Sequence, residues 1–197
     1  MLATNFGSMH STLAELGMCG IDLQNVLWQN VRFIYLLIYL LFLQLNCFAT
    51  ISISIDAENG RASGAAFVPA DHPLFADHFP GKSLLPGSLI LELAAQVAGP
   101  LAEEFVKTQL KIERWSILGM IRDARFLQPV FLPASLEITA TISRSQSSNV
   151  SVNVTVTVND ERVMQAELVM MMLESSAEWT AAIEARNDRL AGWKEAS

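Results

Sequence analysis

Apolar and polar residues alternate with the period of a β-strand through most of the chain after residue 48. One long apolar run in the middle breaks that period. In ATISISID (49–56), Ile51, Ile53 and Ile55 are separated by Ser52 and Ser54, which predicts a half-buried strand. AENG (57–60) predicts a hairpin turn, and RASGAAFV (61–68) its second strand, whose small residues let another element pack closely over it. Four more strands are predicted in RWSILGMIRDARF (114–126), SLEITATIS (135–143), NVSVNVTVTVN (149–159) and RVMQAELVMMML (162–173). The third of these places Val150, Val152, Val154, Val156 and Val158 on one face, and the Ser and Asn-rich segments SRSQSSN and NDE are turn chemistry, so these strands run antiparallel. The interrupting run, PGSLILELAAQVAGPLAEEFV (86–106), has a helix start in Pro86, Gly87 and Ser88, then apolar residues on nearly every face, as in a helix wrapped by protein. Residues 176–197 read as a polar surface helix. The pattern predicts an α+β architecture, with one buried helix held against a single curved antiparallel sheet.

Composition narrows the function classes. A chain of 197 residues, about half of them hydrophobic, makes one ordinary domain. A net charge of −7 without a basic stripe speaks against a nucleic-acid partner. Cys19 and Cys47 are far apart and show neither a disulfide framework nor metal-ligand spacing, so a reducing, cytoplasmic setting is expected. Residues 1–45 are read as an N-terminal extension ahead of a domain over 46–175. The extension holds an apolar run from Phe33 to Leu43, eleven residues, short of the roughly 20 that cross a bilayer. That run, extended to residue 48, fits a helix packed on the domain or its dimer partner and a membrane-associating segment equally well. A third reading is an upstream extension foreign to the native product.

Candidate chemistry sits between residues 71 and 99, in DHPLFADHFPGKSLLPGSLILELAAQVAG. Glu92 is the one carboxylate of the early helix, and Gln96, four residues on, shares its face. An unpaired carboxylate in such surroundings raises its pKa and holds a proton, which equips it as a proton donor. His78 lies in a turn punctuated by Pro80 and Gly81 and titrates near working pH. Taken singly, Glu92 also reads as a side chain snorkelling to solvent and His78 as a turn residue.

Read together, DHFPGKSLLPGSLILELAAQVAG resembles the signature of the hotdog-fold 3-hydroxyacyl-(acyl-carrier-protein) dehydratases, in particular their glutamate-using, FabZ-like branch. The matching positions are His78-Phe79-Pro80-Gly81, Pro86-Gly87, Glu92 and Ala95-Gln96. Gly119, Ala124, Arg125 and Phe126 extend the similarity into the following strand, and it covers roughly residues 46–173. The resemblance implies a hotdog fold, a homodimer or dimer-based oligomer, an acyl thioester carried by acyl-carrier protein or coenzyme A as substrate, and no cofactor. It also implies His78 and Glu92 as the catalytic pair, Gly87 as the carbonyl-binding amide, and Gln96, Phe79, Gly81 and Pro86 as supporting residues. Asp77 stands where the family usually has Gly, Ser83 where Pro is common, and Pro100 interrupts the helix. FLPAS replaces a Pro-Gly-Asp turn, and Leu127-Gln128 a basic pair. Lys82, Lys107, Lys111, Arg122 and Arg125 remain as candidates for docking an acidic carrier, with Lys82, Arg122 and Arg125 taken first. A hotdog thioesterase and a non-catalytic acyl-binding subunit are the alternative readings.

Overall fold

The computed structural model describes residues 49–72, 75, 81–177 and 179–195. Strands β1 (Thr50–Asp56) and β2 (Arg61–Val68) form the expected hairpin, in antiparallel register with Asp56 opposite Arg61. The Asp56 carboxylate ties the turn by accepting from the Asn59 backbone N–H at 3.1 Å and from Asn59 Nδ2 at 2.7 Å. This is the way Asp and Asn side chains stand in for backbone partners in turns.

Helix α1 (Gly87–Leu110) follows, then β3 (Trp115–Phe126), β4 (Ala134–Ser145), β5 (Asn149–Val158), β6 (Glu161–Leu173) and helix α2 (Thr180–Glu195). The six strands make one fully antiparallel sheet in the order β1-β2-β4-β5-β6-β3. The alternation seen in β5 is largely realised: Val150, Val152, Val154 and Val156 are buried, each at 2% exposure or less, while Val158 at the strand end is half-buried and Ser151 on the other face is buried too. Helix α1 touches all six strands, so the sheet curves around it in the hotdog arrangement. Leu89, Ile90, Leu93, Ala94, Val97, Ala98, Leu101, Ala102 and Val106 form the buried side of the helix. Each large aliphatic chain among them contributes roughly 1.5–3 kcal/mol by leaving water.

The small residues of β2 are what bring the helix in. A Cβ placed on Gly64 would lie 2.6 Å from a methyl of Val97, so helix and strand approach to a separation that a side chain there would forbid. The helix continues through Pro100, whose missing N–H leaves the Gln96 carbonyl without its helical donor.

Among the described residues, strand β3 forms one margin of the sheet and pairs with β6 alone, with irregularities between Leu118 and Met120 and between Arg122 and Arg125. From Gly119 to Phe126 every residue of it is exposed, including Met120, Ile121 and Phe126. At the other margin α2 packs on β1. The expected surface helix is thus present, but it is docked, with Leu190 buried.

No described helix is long and apolar enough to cross a membrane. The Phe33–Leu43 run lies outside the described residues.

Candidate active site

The approach to α1 is fixed by main-chain hydrogen bonds. Leu85 N–H donates to the Val130 carbonyl at 2.9 Å and Leu132 N–H to the Ser83 carbonyl at 2.9 Å, with Leu84 and Phe131 bridged between them. Leu85 and Val130 are each 2% exposed, so this clasp is sealed by apolar packing. It delivers Pro86 as the helix N-cap, whose carbonyl accepts from Leu89 N–H and Ile90 N–H. No side chain caps this end and no acidic residue stands in the first turn. Among the described residues, the first amides of α1 and the positive end of its dipole are therefore not neutralised by a capping side chain or a first-turn carboxylate.

Gly87 is the first residue of α1, and the ring of Phe126 lies over it. A Cβ at this position would come within 2.9 Å of a ring carbon. Phe126 thereby closes one side of the helix terminus, a role that its place in the strand motif did not reveal. Gly81 has φ of +83°, a left-handed conformation that glycine adopts without penalty.

Five residues into the helix, Glu92 is half-buried, and its Oε1 accepts a hydrogen bond from Gln96 Nε2 at 2.5 Å. Burial pushes the Glu92 carboxyl above the usual glutamate range, and the Gln96 hydrogen bond opposes that shift without cancelling it. The expected pairing on one helix face is present. Ser88, Leu91, Glu92, Ala95 and Gln96 together form the stripe of α1 that the sheet leaves partly open.

A raised carboxyl pKa ties fold stability to pH. Above the ordinary glutamate value the folded state binds more protons at this group than the unfolded state does, so stability falls as pH rises toward the raised value. Melting temperatures taken from about pH 4 to 8 should therefore show a descending component in the wild type that Glu92→Gln lacks. Parallel profiles for the two proteins would contradict the assigned protonation.

His78 and Phe79 lie outside the described residues. Of the candidate docking residues, Lys82 is exposed, Arg122 pairs with Glu167 at 3.6 Å, and Arg125 pairs with Asp123 at 2.9 Å. Among the described residues, no group of three or more His, Cys, Asp or Glu side chains could hold a metal ion.

A second, half-buried carboxylate escaped the sequence reading. Glu103 Oε1 accepts from Ser116 N–H at 2.6 Å, Ser116 Oγ at 2.7 Å and Arg186 Nη1 at 2.7 Å, while Oε2 accepts from Arg186 Nη2 at 2.5 Å. Glu103 lies eleven residues after Glu92 on the same helical stripe, which was a legible signal. Arg186, in α2, had none.

A relative from Bartonella henselae, named 3-hydroxyacyl-(acyl-carrier-protein) dehydratase FabZ, is 31% identical over 122 residues, covering 62% of this chain and 77% of the relative. The protein of the same name from Verminephrobacter eiseniae is 35% identical over 115 residues, covering 58% of this chain and 76% of its own. A hypothetical thioesterase from Streptococcus pneumoniae, solved with coenzyme A, superposes with a TM-score of 0.51 at 12% identity, over 65% of this chain and 89% of that one, a likeness of fold alone. The sequence profile of the FabA-like domain matches residues 41–167, and this chain belongs to that family.

Proposed function

We propose that this protein dehydrates a 3-hydroxyacyl thioester to the trans-2-enoyl thioester in fatty-acid or related acyl-chain biosynthesis. The observation that carries the reading is Glu92, a carboxyl held half-buried on α1, its pKa raised and its orientation fixed by Gln96. The relatives named as 3-hydroxyacyl-(acyl-carrier-protein) dehydratases support the same activity.

In this reading His78 takes a proton from C2 of the substrate. The electron pair moves toward the thioester carbonyl, whose oxygen gains charge beside the Gly87 amide and the positive end of α1. The C3–O bond breaks, Glu92 gives its proton to the departing hydroxyl, and water leaves as the C2–C3 double bond forms. One proton is then on His78 and one is missing from Glu92, and exchange through solvent restores both. Phe79, Gly81 and Pro86 shape the loop and helix start, and apolar residues of α1 and the sheet line the acyl channel. No cofactor is needed for this chemistry.

The substrate arrives on acyl-carrier protein, or on coenzyme A as its small analogue, with Lys82, Arg122 and Arg125 facing an acidic carrier. Residues 46–175 carry the activity, in the cytoplasm. Support for a homodimer comes from the margin of β3, whose outer backbone edge pairs with no other described strand and whose exposed Met120, Ile121 and Phe126 suit pairing with a second copy. His78 of one chain would then face Glu92 of the other.

Mixing the purified protein with a 3-hydroxybutyryl or 2-butenoyl thioester separates the possible outcomes. Interconversion of the two, seen as gain or loss of absorbance of the conjugated thioester, is the expected result. Release of free thiol without that interconversion means a thioesterase, and neither signal means a non-catalytic subunit.

A further inference from the structure

We infer that Phe126 is a positioning residue of this site: its ring keeps water off the helix terminus at Gly87, and a bulge in β3 at Asp123 turns it there. The inference deepens the dehydratase reading and rests on it for the charge that develops beside Gly87.

The register of β3 accounts for the place of the ring. Arg122 stands opposite Glu167 and Arg125 opposite Gln165, so three steps along β3 match two along β6. One extra residue is inserted, and that exchanges the two faces of the strand for everything that follows. Without it, Arg125 would stand opposite Met164; with it, Phe126 does. Met164 belongs to the alternating set Met164, Ala166, Leu168, Met170 and Met172 that β6 buries on the side of α1. The bulge therefore puts an aromatic ring, in place of a guanidinium, on the face of β3 that meets the start of the helix.

Asp123 makes the insertion. Its φ is +50°, in the left-handed region, which Asp enters at less cost than most side chains and which a β-branched residue resists. Its Oδ1 also accepts from Arg125 Nε at 3.0 Å and lies 2.9 Å from Nη2, a pair too exposed to contribute much by itself.

The contact at the helix is tight. Three carbons of the Phe126 ring lie 2.9 to 3.2 Å from where a Gly87 Cβ would be, so glycine alone leaves room for the ring. Burial does not explain the contact, since Phe126 remains 51% exposed. Gly87 beneath it is half-buried, at a helix end with neither a capping side chain nor a first-turn carboxylate. A ring packed on such an end takes space that water would otherwise fill, and water there would screen the amide and the dipole. Charge developing on a carbonyl oxygen at this place is therefore held more strongly than in open solvent.

The test is made in the full-length chain with a 3-hydroxybutyryl thioester. Phe126→Ala should lower kcat about tenfold, a fraction of the roughly 10²- to 10³-fold that loss of a whole oxyanion donor costs, with KM and melting temperature close to wild type. Phe126→Leu, which keeps an apolar cover, should recover most of the loss. A second readout is independent of turnover. The absorbance of bound 2,4-hexadienoyl-coenzyme A moves to longer wavelength as its carbonyl is polarised, and that shift should shrink in Phe126→Ala. Asp123→Val keeps the ring but opposes the left-handed turn and should reproduce both effects, whereas Asp123→Gly should match the wild type. This second pair carries the test if Phe126→Ala fails to fold. Wild-type kcat with an undiminished shift in Phe126→Ala, or a rise in KM alone, overturns the inference while leaving the dehydratase reading in place. Asp123→Val indistinguishable from Asp123→Gly overturns the role of the bulge. A wild type that interconverts no substrate rejects the inference and the dehydratase reading together.

Discussion

Glu92→Gln is expected to lower turnover of a 3-hydroxyacyl thioester by about 10²- to 10⁴-fold, the usual contribution of a general acid or base. His78→Asn is expected to do the same. The substitution at Glu92 isolates chemistry from architecture. Glutamine has nearly the same shape, its side-chain oxygen can still accept from Gln96 Nε2, and it cannot deliver a proton to a leaving hydroxyl. Because Glu92 is half-buried and disfavours its ionised form, the neutral replacement should leave the protein at least as stable near neutral pH. The fall should appear in kcat and in kcat/KM alike, because the lost interaction belongs to the transition state. Thermal melting alongside steady-state kinetics decides the matter. Turnover within a few fold of wild type in either variant would falsify the assigned role, and a collapsed fold in Glu92→Gln would contradict the argument from burial.

Mixing the two inactive proteins should restore activity. If His78 from one chain serves Glu92 on the other, a dimer formed from His78→Asn and Glu92→Gln subunits has one site carrying both lesions and one carrying neither. Co-expression with two different affinity tags, followed by sequential purification, isolates that mixed dimer. Its turnover should approach half that of the wild-type dimer, a rise of at least about 10²-fold over either parent. If each site is contained within one chain, both sites of the mixed dimer keep one lesion and turnover stays at the parental level. The prediction depends on pairing of the free β3 margins, so a simultaneous mass measurement of the purified species is part of it.

Strand existence and type were legible because the period of two is strong where one face is buried. The valines of β5 and the isoleucines of β1 announce their faces without help from the rest of the chain. The order of the strands was not legible. β2 lies beside β4 although α1 and β3 intervene, and β3 lies beyond β6, placements that depend on how the sheet closes around the helix. For the site, Glu92 and Gln96 could be paired from spacing alone because both sit on one helix. The contact of Phe126 with Gly87 joins elements whose proximity follows from the clasp between residues 83–85 and 130–132, and nothing local encodes it. Helix α2 was read as a polar surface element because it has no continuous apolar face. It docks largely by charge, through Arg186 on Glu103 and Lys194 on Glu104 at 3.0 Å, and charges on two distant segments do not declare that they belong together.

The close approach of Gly64 to Val97 bears on how this site can diversify. Val97 follows Gln96 in the helix, so any side chain added at Gly64 pushes on the Val97 methyls and, through them, on the helix that carries Glu92 and Gln96. A larger residue at Gly64 would therefore act on α1, and through it on the carboxyl and amide that the proposed reaction uses. Evolutionary change in substrate preference is therefore steered away from β2 and toward parts of the molecule that can vary while α1 stays in place.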